Sequence, residues 1–368
     1  MTYNYNVRFV NYPEHYRRLK SELDTAYFDI MNSGDFILRQ HLEDFEQNFA
    51  KFLGVKYAVG VNSGTDALFF SGVVTDLGEG DEVITVSHTF LATVGAIINN
   101  NATPVLIDVA KDHNMDVTLI EKAINTKTKA ILPVHLNGRL CDMEIIMEIA
   151  EKYDLKVIED SAQALGSTLN NKKAGTFGTT SIFSFYPAKV LGTAGDGGMF
   201  CTNNEEIAIR TRELRDNGRT STGGVNGYGY CSRLDNLHAA FLNVKLSHVP
   251  EWIKRRREIA DQYKEGLNEI SELQLPFYDD DRFFDVYQNF VVQTPERDDF
   301  ARYLRESGIE ILISWPIPMH KQASLNLDFN LPMTEKISNT VLSLPMYPEL
   351  SNDEVQTVID VVKGFFKS

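Results

Sequence analysis

The sequence predicts an α/β fold, with a mostly parallel central sheet that helices cover on both faces. Short, continuous apolar segments recur between residues 57 and 202, and such segments are typical of strands buried on both faces of a sheet. Stretches with helical periodicity separate most of these segments. Strands that alternate with helices along a chain are typical of a parallel sheet.

The first predicted elements are two amphipathic helices, Pro13–Gly34 and His41–Leu53. A glycine stands at the end of each pattern, where helices commonly stop. Strands and helices then alternate. The predicted strands are Tyr57–Val61, Glu82–Val86, Pro104–Ile107, Ala130–Val134, Lys156–Ile158, Ser181–Phe185 and Met199–Thr202. The predicted helices between them are Thr65–Leu77, Phe90–Asn99, Thr118–Ile124 and Asp142–Tyr153.

The pattern changes after residue 202. Arg210–Gly229 is rich in glycine, serine, threonine and asparagine, which predicts a loop. Asp235–Leu267 has helical character throughout and is long enough to contain a break. Further along, the periodicity predicts a strand at Phe290–Gln293 and helices at Asp298–Ser307 and Asp353–Phe366.

The length of the chain predicts more than one domain, because 368 residues are too many for one small core. The alternating pattern lies in the first part of the chain. We therefore expect a large domain at residues 1–246, including the amino-terminal helices, and a smaller α+β domain at residues 247–368.

Composition limits the classes of partner. The net charge of -15 argues against a general nucleic-acid binder and against attraction to an anionic membrane. The amino terminus has no apolar signal core, and no apolar run is long enough to span a bilayer. Cys141, Cys201 and Cys231 show neither a metal-ligand spacing nor a disulfide framework. We expect a soluble, cytoplasmic protein without a metal site.

The segment around Lys189 is the strongest sign of chemistry in the sequence. Lys189 lies between an apolar strand that ends at Phe185 and the glycine-rich turn Gly195–Gly198. Burial there would lower its pKa and suit it to Schiff-base formation and proton transfer. Asp160 follows a buried strand at the carboxyl edge, where open α/β sheets bind ligands, and can hold a pyridine nitrogen protonated. These two groups are the minimum equipment of a pyridoxal phosphate (PLP) enzyme.

Each supporting residue also has an ordinary alternative. Gly64 and Thr65 begin a helix after a strand. Such a helix start can bind a phosphate, but it is also what an ordinary capped helix looks like. Ser184 would add a second hydroxyl to a phosphate site, beside that of Thr65. Phe90 can stack on a cofactor ring or belong to the core. Gln163 can reach the phenolate oxygen of the ring or lie exposed.

Together these residues resemble the DegT/DnrJ/EryC1/StrS family of PLP-dependent sugar aminotransferases. The resemblance covers nearly the whole chain. The motifs that carry it are Ser63-Gly64-Thr65-Asp66-Ala67-Leu68, His88-Thr89-Phe90, Glu159-Asp160, Ser184–Lys189, Ser232-Arg233-Leu234-Asp235, Trp315–His320 and Leu342–Pro348.

The resemblance implies an aspartate-aminotransferase-like fold (fold type I) and a homodimer in which the partner chain completes each active site. It implies that Lys189 is the Schiff-base lysine and proton shuttle. It assigns Asp160 to the pyridine nitrogen, Gln163 to the ring hydroxyl and Phe90 to ring stacking. The phosphate contacts would be Gly64, Thr65 and Ser184, and the candidate substrate contacts are Tyr186, Arg233 and His320.

A finer resemblance concerns the substrate. Gly195-Asp196-Gly197-Gly198 and Ser232-Arg233-Leu234-Asp235 are typical of the branch that acts on nucleotide-linked 3-keto-6-deoxyhexoses in deoxyamino sugar and polysaccharide biosynthesis. The expected reaction moves an amino group from L-glutamate to such a sugar, in the dTDP series. Alternative acceptors are a 4-keto sugar nucleotide, a cyclitol or a small phosphorylated ketone. A catalytically idle, regulatory relative is a further alternative, although both Lys189 and Asp160 are present.

Some positions depart from the family pattern. Cys231 stands where relatives have an asparagine that reaches the PLP phosphate of the neighbouring subunit, so Asn217 or Asn226 would have to replace that contact. Asn137 replaces a common tyrosine, and Ser314-Trp315 replaces a common His-Tyr pair. Arg39 stands where relatives often have glycine. Because several of these segments lie near the substrate in relatives, they motivate the alternative acceptors.

Overall fold

A computed structural model describes residues 4–276 and 280–367. It begins with helices α1 (Tyr12–Ser33) and α2 (Gln40–Leu53). The Asn11 side chain accepts a hydrogen bond from the Glu14 N–H at the start of α1. Each helix ends at a glycine in the left-handed backbone region, which glycine adopts without steric cost. Both predicted helices are confirmed.

The main sheet forms the centre of the molecule. Its strands, with two short ones outside it (β6 and β7), are β1 (Tyr57–Val61), β2 (Glu82–Val86), β3 (Thr103–Ile107), β4 (Thr128–Ile131), β5 (Lys156–Asp160), β6 (Thr168–Leu169), β7 (Lys172–Lys173), β8 (Thr180–Ser184) and β9 (Gly198–Thr202). Seven strands within the described residues pair in the order β1-β9-β8-β5-β4-β2-β3. Only β9 runs antiparallel to its neighbours, so the mostly parallel sheet is confirmed.

Helices follow the strands and cover both faces of this sheet. After α2, the helices of the described residues are α3 (Gly64–Val74), α4 (Leu91–Asn99), α5 (Ile120–Ala123), α6 (Met143–Tyr153), α7 (Glu205–Arg215), α8 (Asn236–Leu246), α9 (Val249–Leu267), α10 (Arg297–Glu306), α11 (Pro332–Thr340) and α12 (Asn352–Phe366); α10 and α12 belong to the carboxyl-terminal part. One buried core joins the sheet to α3, α4 and α6. A second joins it to α1, α2 and α8. The parallel strands are therefore buried on both sides.

The carboxyl-terminal part has its own core. Strands β11 (Phe290–Gln293) and β12 (Val341–Leu344) pair antiparallel and pack with α9, α10 and α12; a short strand β10 (Phe283–Phe284) pairs with β6. Helix α9 contributes to two cores: Trp252 packs with the amino-terminal helices, whereas Tyr263 packs in the carboxyl-terminal core. The domain boundary at residues 246/247 stays a prediction.

The structure corrects one part of the element assignment and locates the break that the sequence allowed. The loop predicted from Arg210 is wrong in its first part, because α7 extends to Arg215; acidic residues in its first turn and Arg212 and Arg215 in its last turn favour this helix. The long helical region breaks at Ser247–His248, and Pro250 stands in the first turn of the next helix, where proline is common. Within the described residues no helix combines the length and apolar character needed to cross a bilayer.

A buried ion pair fixes the start of the sheet. The Glu46 carboxylate of α2 pairs with Arg215 of α7 and accepts a hydrogen bond of 2.8 Å from the Gly60 N–H of β1. The Arg215 guanidinium also donates to the Gly60 carbonyl at 2.8 Å. Glu46 and Arg215 are each 7% exposed, so either charge would be costly to leave unpaired.

We expect Arg215→Ala to lower the free energy of unfolding by about 3 kcal/mol, because it leaves the Glu46 carboxylate buried. This loss is at the lower end of the range of about 3–5 kcal/mol for a broken buried ion pair. The reason is that the Arg212 guanidinium lies 3.9 Å from Glu46 and still partly compensates its charge. Urea unfolding measures the change. Arg210→Ala on the same helix removes an exposed pair with Asp76 and should cost less than about 1 kcal/mol. Equal losses in the two variants would contradict the assignment.

Candidate active site

A cavity of about 690 Å³ opens at the carboxyl ends of the parallel strands. The segments after β1, β2, β5 and β8 all reach it, because parallel strands end at the same edge of a sheet. The predicted residues that the structure brings together at its wall are Gly64, Thr65, Phe90, Asp160, Gln163, Ser184, Tyr186 and Lys189. These residues come from distant parts of the sequence and meet only because of the sheet topology.

Asp160 ends β5 and is 5% exposed. One carboxylate oxygen accepts a hydrogen bond of 2.8 Å from the Thr93 hydroxyl, and the other accepts one of 3.2 Å from the Ala162 N–H. Burial raises the pKa of Asp160 above its ordinary value, and the bonds from Thr93 and Ala162 and the Lys189 amine oppose that rise. A buried carboxylate requires a cationic partner, and a protonated pyridine nitrogen would supply one.

Lys189 lies in the turn after β8. Burial lowers the pKa of its amine to about 8, and the carboxylate of Asp160 partly opposes this shift. The amine forms no hydrogen bond with any described residue. Lys189 lines the same cavity as Asp160. A lysine of depressed pKa carries a larger neutral, nucleophilic fraction near neutral pH. The geometry therefore supports covalent bonding to an aldehyde.

The amino terminus of α3 forms a seat for a phosphate. The Ser63 side chain caps the helix by accepting from the Asp66 N–H at 3.1 Å, which leaves the N–H groups of Gly64 and Thr65 for a ligand. A Cβ on Gly64 would lie 2.9 Å from the Cβ of Ser184. Only glycine therefore allows the Ser184 side chain so close to this helix start. The residues fit the phosphate of PLP.

Phe90 and Gln163 fit the ring of the same cofactor. Phe90 is 62% exposed, so its face is open to a planar ligand. The Oε1 atom of Gln163 accepts a hydrogen bond of 2.8 Å from the Asn137 N–H. Because a backbone N–H can only donate, this bond fixes the orientation of the amide. Its NH₂ group remains available to donate to an anionic oxygen.

Glu159 anchors the end of β5 from the opposite side. Its carboxylate is fully buried and accepts hydrogen bonds from the N–H groups of Gly175, Phe177 and Gly178 at 2.6–2.8 Å. It also accepts a hydrogen bond of 3.1 Å from His135 Nε2. Adjacent carboxylates thus differ in role: Glu159 is satisfied internally, whereas Asp160 faces the cavity.

Two predicted substrate contacts do not line this cavity within one chain. Both ring nitrogens of the buried His320 lie at hydrogen-bond distance from internal partners, Ser87 at 2.7 Å and Glu335 at 3.2 Å. Arg233 pairs with Asp216 at 3.1 Å and donates to the Cys231 sulfur at 3.0 Å. Their roles stay predictions. Tyr186, by contrast, lines the cavity and is half exposed.

Positive charge is scarce at this site. Among the described residues that line the cavity, Lys189 is the only lysine or arginine. The phosphate seat therefore relies on N–H groups and hydroxyls, which are effective at a helix amino terminus. Further anionic groups on a substrate would need cations from outside these lining residues.

A family model described as the DegT/DnrJ/EryC1/StrS aminotransferase family matches residues 18–363. The chain belongs to this family. A dTDP-3-amino-3,6-dideoxy-alpha-D-galactopyranose transaminase of Aneurinibacillus thermoaerophilus is 42% identical, and the match covers 95% of this chain and 96% of the relative. A "pleiotropic regulatory protein" of Geobacillus stearothermophilus is 38% identical over 98% of this chain and 99% of the relative.

A solved structure of DesV from S. venezuelae, in complex with a ketimine intermediate, is also similar. It is 37% identical, has a TM-score of 0.95 and matches 100% of both chains. This similarity confirms the fold type I architecture of PLP aminotransferases. The protein is a PLP-dependent aminotransferase of the DegT/DnrJ/EryC1/StrS family, as the sequence resemblance implied.

Several residues of this aminotransferase site were missed by sequence reasoning. Thr93, which binds Asp160, stands one helical turn after Thr89, and that spacing was a usable signal. Gln288 and Asn289 also line the cavity, but they lie about one hundred residues from Lys189 in sequence. No local pattern indicates their position.

We expect the Lys189 amine of the PLP-free aminotransferase to titrate near pH 8, well below the ordinary value of 10.5, since burial disfavours its charged form. Competitive amine labelling across a pH series, followed by peptide mass spectrometry, measures this pKa. Asp160→Asn should lower it further, because a carboxylate that stabilises the ammonium is lost. Peptides with exposed lysines such as Lys152 serve as internal controls. A Lys189 pKa equal to theirs would contradict the assigned environment.

Proposed function

We propose that this aminotransferase moves the amino group of L-glutamate to a nucleotide-linked 3-keto-6-deoxyhexose of the dTDP series. The observation that carries the aminotransferase chemistry is that Lys189 and Asp160 line one cavity at the sheet edge. The acceptor class is supported by the named activity of the Aneurinibacillus relative. It also agrees with the Gly195–Gly198 motif.

The protein residues divide the catalytic work. When bound, PLP supplies an electron sink that stabilises negative charge at the carbon next to the transferred nitrogen. Asp160 would keep the pyridine nitrogen protonated, and its own hydrogen bonds from Thr93 and Ala162 hold the carboxylate in place. Lys189 would hold the cofactor by its aldehyde. Its amine, whose pKa burial lowers, would also be the group that takes a proton from the α-carbon of the donor and gives one back.

One part of the cavity wall suits a neutral sugar ring. It includes Leu312, Ile313, Trp315 and the buried amide of Asn289, whose Nδ2 donates to Asn137 Oδ1 at 3.3 Å. None of these groups is charged. A deoxyhexose presents hydroxyls and a methyl group to such a wall, whereas a phosphorylated ketone would bring an anion near it. The small phosphorylated ketone is therefore the less favoured acceptor.

We also propose that the enzyme works as a homodimer with shared active sites. Support comes from the scarcity of cations at the cavity of one chain, since a nucleotide-linked sugar carries a diphosphate. The segment 216–231 exposes Val225 and Tyr228 to solvent and carries Arg219. This segment and Arg233 are candidates to complete the partner's site, and Asn217 and Asn226 lie in the same segment. The three cysteines are free, which agrees with a reducing cytoplasm.

A catalytically idle, regulatory protein is the alternative function, and one relative is named a regulatory protein. Against it, both Lys189 and Asp160 line the cavity. An idle protein would have no reason to retain a lysine of lowered pKa beside a buried carboxylate, since both are costly to bury.

A panel of acceptors tests the proposed substrate. We expect the enzyme, with L-glutamate, to aminate a dTDP-3-keto-6-deoxyhexose with a higher kcat/KM than dTDP-4-keto sugars, keto-cyclitols or phosphorylated ketones. Mass spectrometry of the products and release of 2-oxoglutarate give the rates. Faster amination of another class would replace the acceptor, and amination of none would remove the proposed function.

Two variants test the roles within this reaction. Lys189→Ala should lower the single-turnover rate by roughly 10²–10⁴-fold, the usual value of a placed proton-transfer group. Asp160→Asn should slow exchange of deuterium into the α-position of glutamate while the fold is retained. Circular dichroism provides the control for folding. Wild-type exchange in Asp160→Asn would exclude its role at the pyridine nitrogen.

The dimer has its own test. Sedimentation at assay concentrations should give twice the mass of the chain. Mixing Lys189→Ala with Arg233→Ala should recover part of the activity, if Arg233 serves the site of its partner, because a mixed dimer then contains one intact site. No recovery from a sample shown to contain mixed dimers would exclude that contribution.

A further inference from the structure

The amide of Gln288 clamps the backbone on both sides of Lys189. Its Oε1 atom accepts a hydrogen bond of 2.8 Å from the Val190 N–H, and its Nε2 atom donates one of 2.8 Å to the Ala188 carbonyl. Because an N–H only donates and a carbonyl only accepts, the two bonds fix the orientation of the amide without ambiguity. Gln288 is 7% exposed, so little water competes for these bonds.

The clamped segment lacks the hydrogen bonds of regular structure. Residues 185–190 follow β8 as a turn, in which the Lys189 N–H donates to the Tyr186 carbonyl at 2.9 Å. Val190 is 4% exposed, and a buried N–H without a partner would be costly. The Gln288 amide supplies that partner, and in doing so it fixes the backbone from which the Lys189 side chain extends.

Gln288 is itself held firmly. The guanidinium of the buried Arg256 donates to the carbonyls of Tyr287 and Gln288 at 3.1 and 3.3 Å. The Gly138 carbonyl accepts from the Val286 N–H at 2.9 Å. A Cβ on Gly138 would lie 2.6 Å from the backbone nitrogen of Gln288, so the turn at Gly138 packs directly against the backbone of Gln288. The clamp therefore has a rigid support.

We propose that Gln288 is a positioning residue for Lys189, and that its two hydrogen bonds hold the amine at the place where it meets the cofactor aldehyde. The inference rests on the PLP chemistry of Lys189 in the proposed function, and it does not depend on which acceptor the enzyme uses. Small displacements of a reacting group are costly to rate, so the clamp matters even though Gln288 need not touch the substrate.

Gln288→Met tests the clamp, because it keeps the length of the side chain and removes both hydrogen bonds. We expect PLP added to the PLP-free protein to attach to Lys189 about tenfold more slowly, in keeping with the loss of two buried bonds. The rise of visible absorbance gives the rate, and borohydride reduction with peptide mapping locates the cofactor. The pH midpoint of the visible band should shift, and kcat should fall more than the KM for glutamate rises.

Two further variants separate positioning from general stability. Gln293→Met changes a glutamine on β11 that contacts His113 and not Lys189, and it should attach PLP at the wild-type rate. Gln288→Glu is nearly isosteric and keeps an acceptor for the Val190 N–H but loses the donor to the Ala188 carbonyl. Its attachment rate should therefore be lowered as well, and it serves as the test if Gln288→Met does not fold. Thermal unfolding of the PLP-free forms monitors the fold.

The possible results discriminate clearly. Slow attachment in the Gln288 variants, with normal attachment in Gln293→Met, supports the clamp. Attachment at the wild-type rate with an unchanged band in folded Gln288 variants, or an equal loss in Gln293→Met, overturns it. If PLP fails to attach to Lys189 in the wild-type protein, the proposed function itself fails, and the two failures are thus distinguishable.

Discussion

The buried carboxylate of Asp160 is the constraint on which the rest of the site depends. An ionised carboxyl group at the end of a central strand is unfavourable unless hydrogen bonds and a positive charge compensate for lost solvation. Thr93 and Ala162 supply the hydrogen bonds. Asp160 lines the cavity, so a positive charge could reach it there, in agreement with the proposed role of the residue at a cationic ring.

The proposed seat for the cofactor phosphate also uses few charged residues. The start of α3 offers N–H groups of Gly64 and Thr65, and a hydroxyl comes from Ser184, so that a phosphate can bind without an adjacent lysine or arginine. Such a seat leaves Lys189 as the one strong base of the cavity lining among the described residues. A second lysine near the aldehyde would compete with it for the same carbon.

Much of this arrangement could be predicted from the sequence, for a physical reason. The strands Tyr57–Val61, Glu82–Val86 and Phe290–Gln293 were predicted with their observed bounds, because each is a continuous apolar run that ends at polar or turn-forming residues. Asp160 is the last residue of such a strand, and the phosphate seat and Lys189 lie in the segments that follow two others. Once the strands are parallel, their carboxyl ends converge and the site residues converge with them.

The remaining features depend on contacts between distant segments. Helix α7 is mostly charged and lies beside a glycine-rich segment, so composition favoured a loop, whereas its burial of Ala208 and Leu214 against the sheet favours the helix. The contacts of Gln288 with Ala188 and Val190 join segments about one hundred residues apart, and periodicity carries no information on such pairs. The contacts of His320 with Ser87 and Glu335 also join distant segments, and only the fold shows them.

Helix α9 has a consequence for the exchange of parts between relatives. One end of it, at Trp252, is packed by the amino-terminal helices, and the other, at Tyr263, lies in the carboxyl-terminal core. A chimaera joined in the short link before this helix would unite the α9 of one parent with the α1 and α8 of another. Mismatched side-chain shapes at that contact would leave voids or clashes. A chimaera made to transfer acceptor preference should therefore take α9 and the helices α1 and α8 from the same parent.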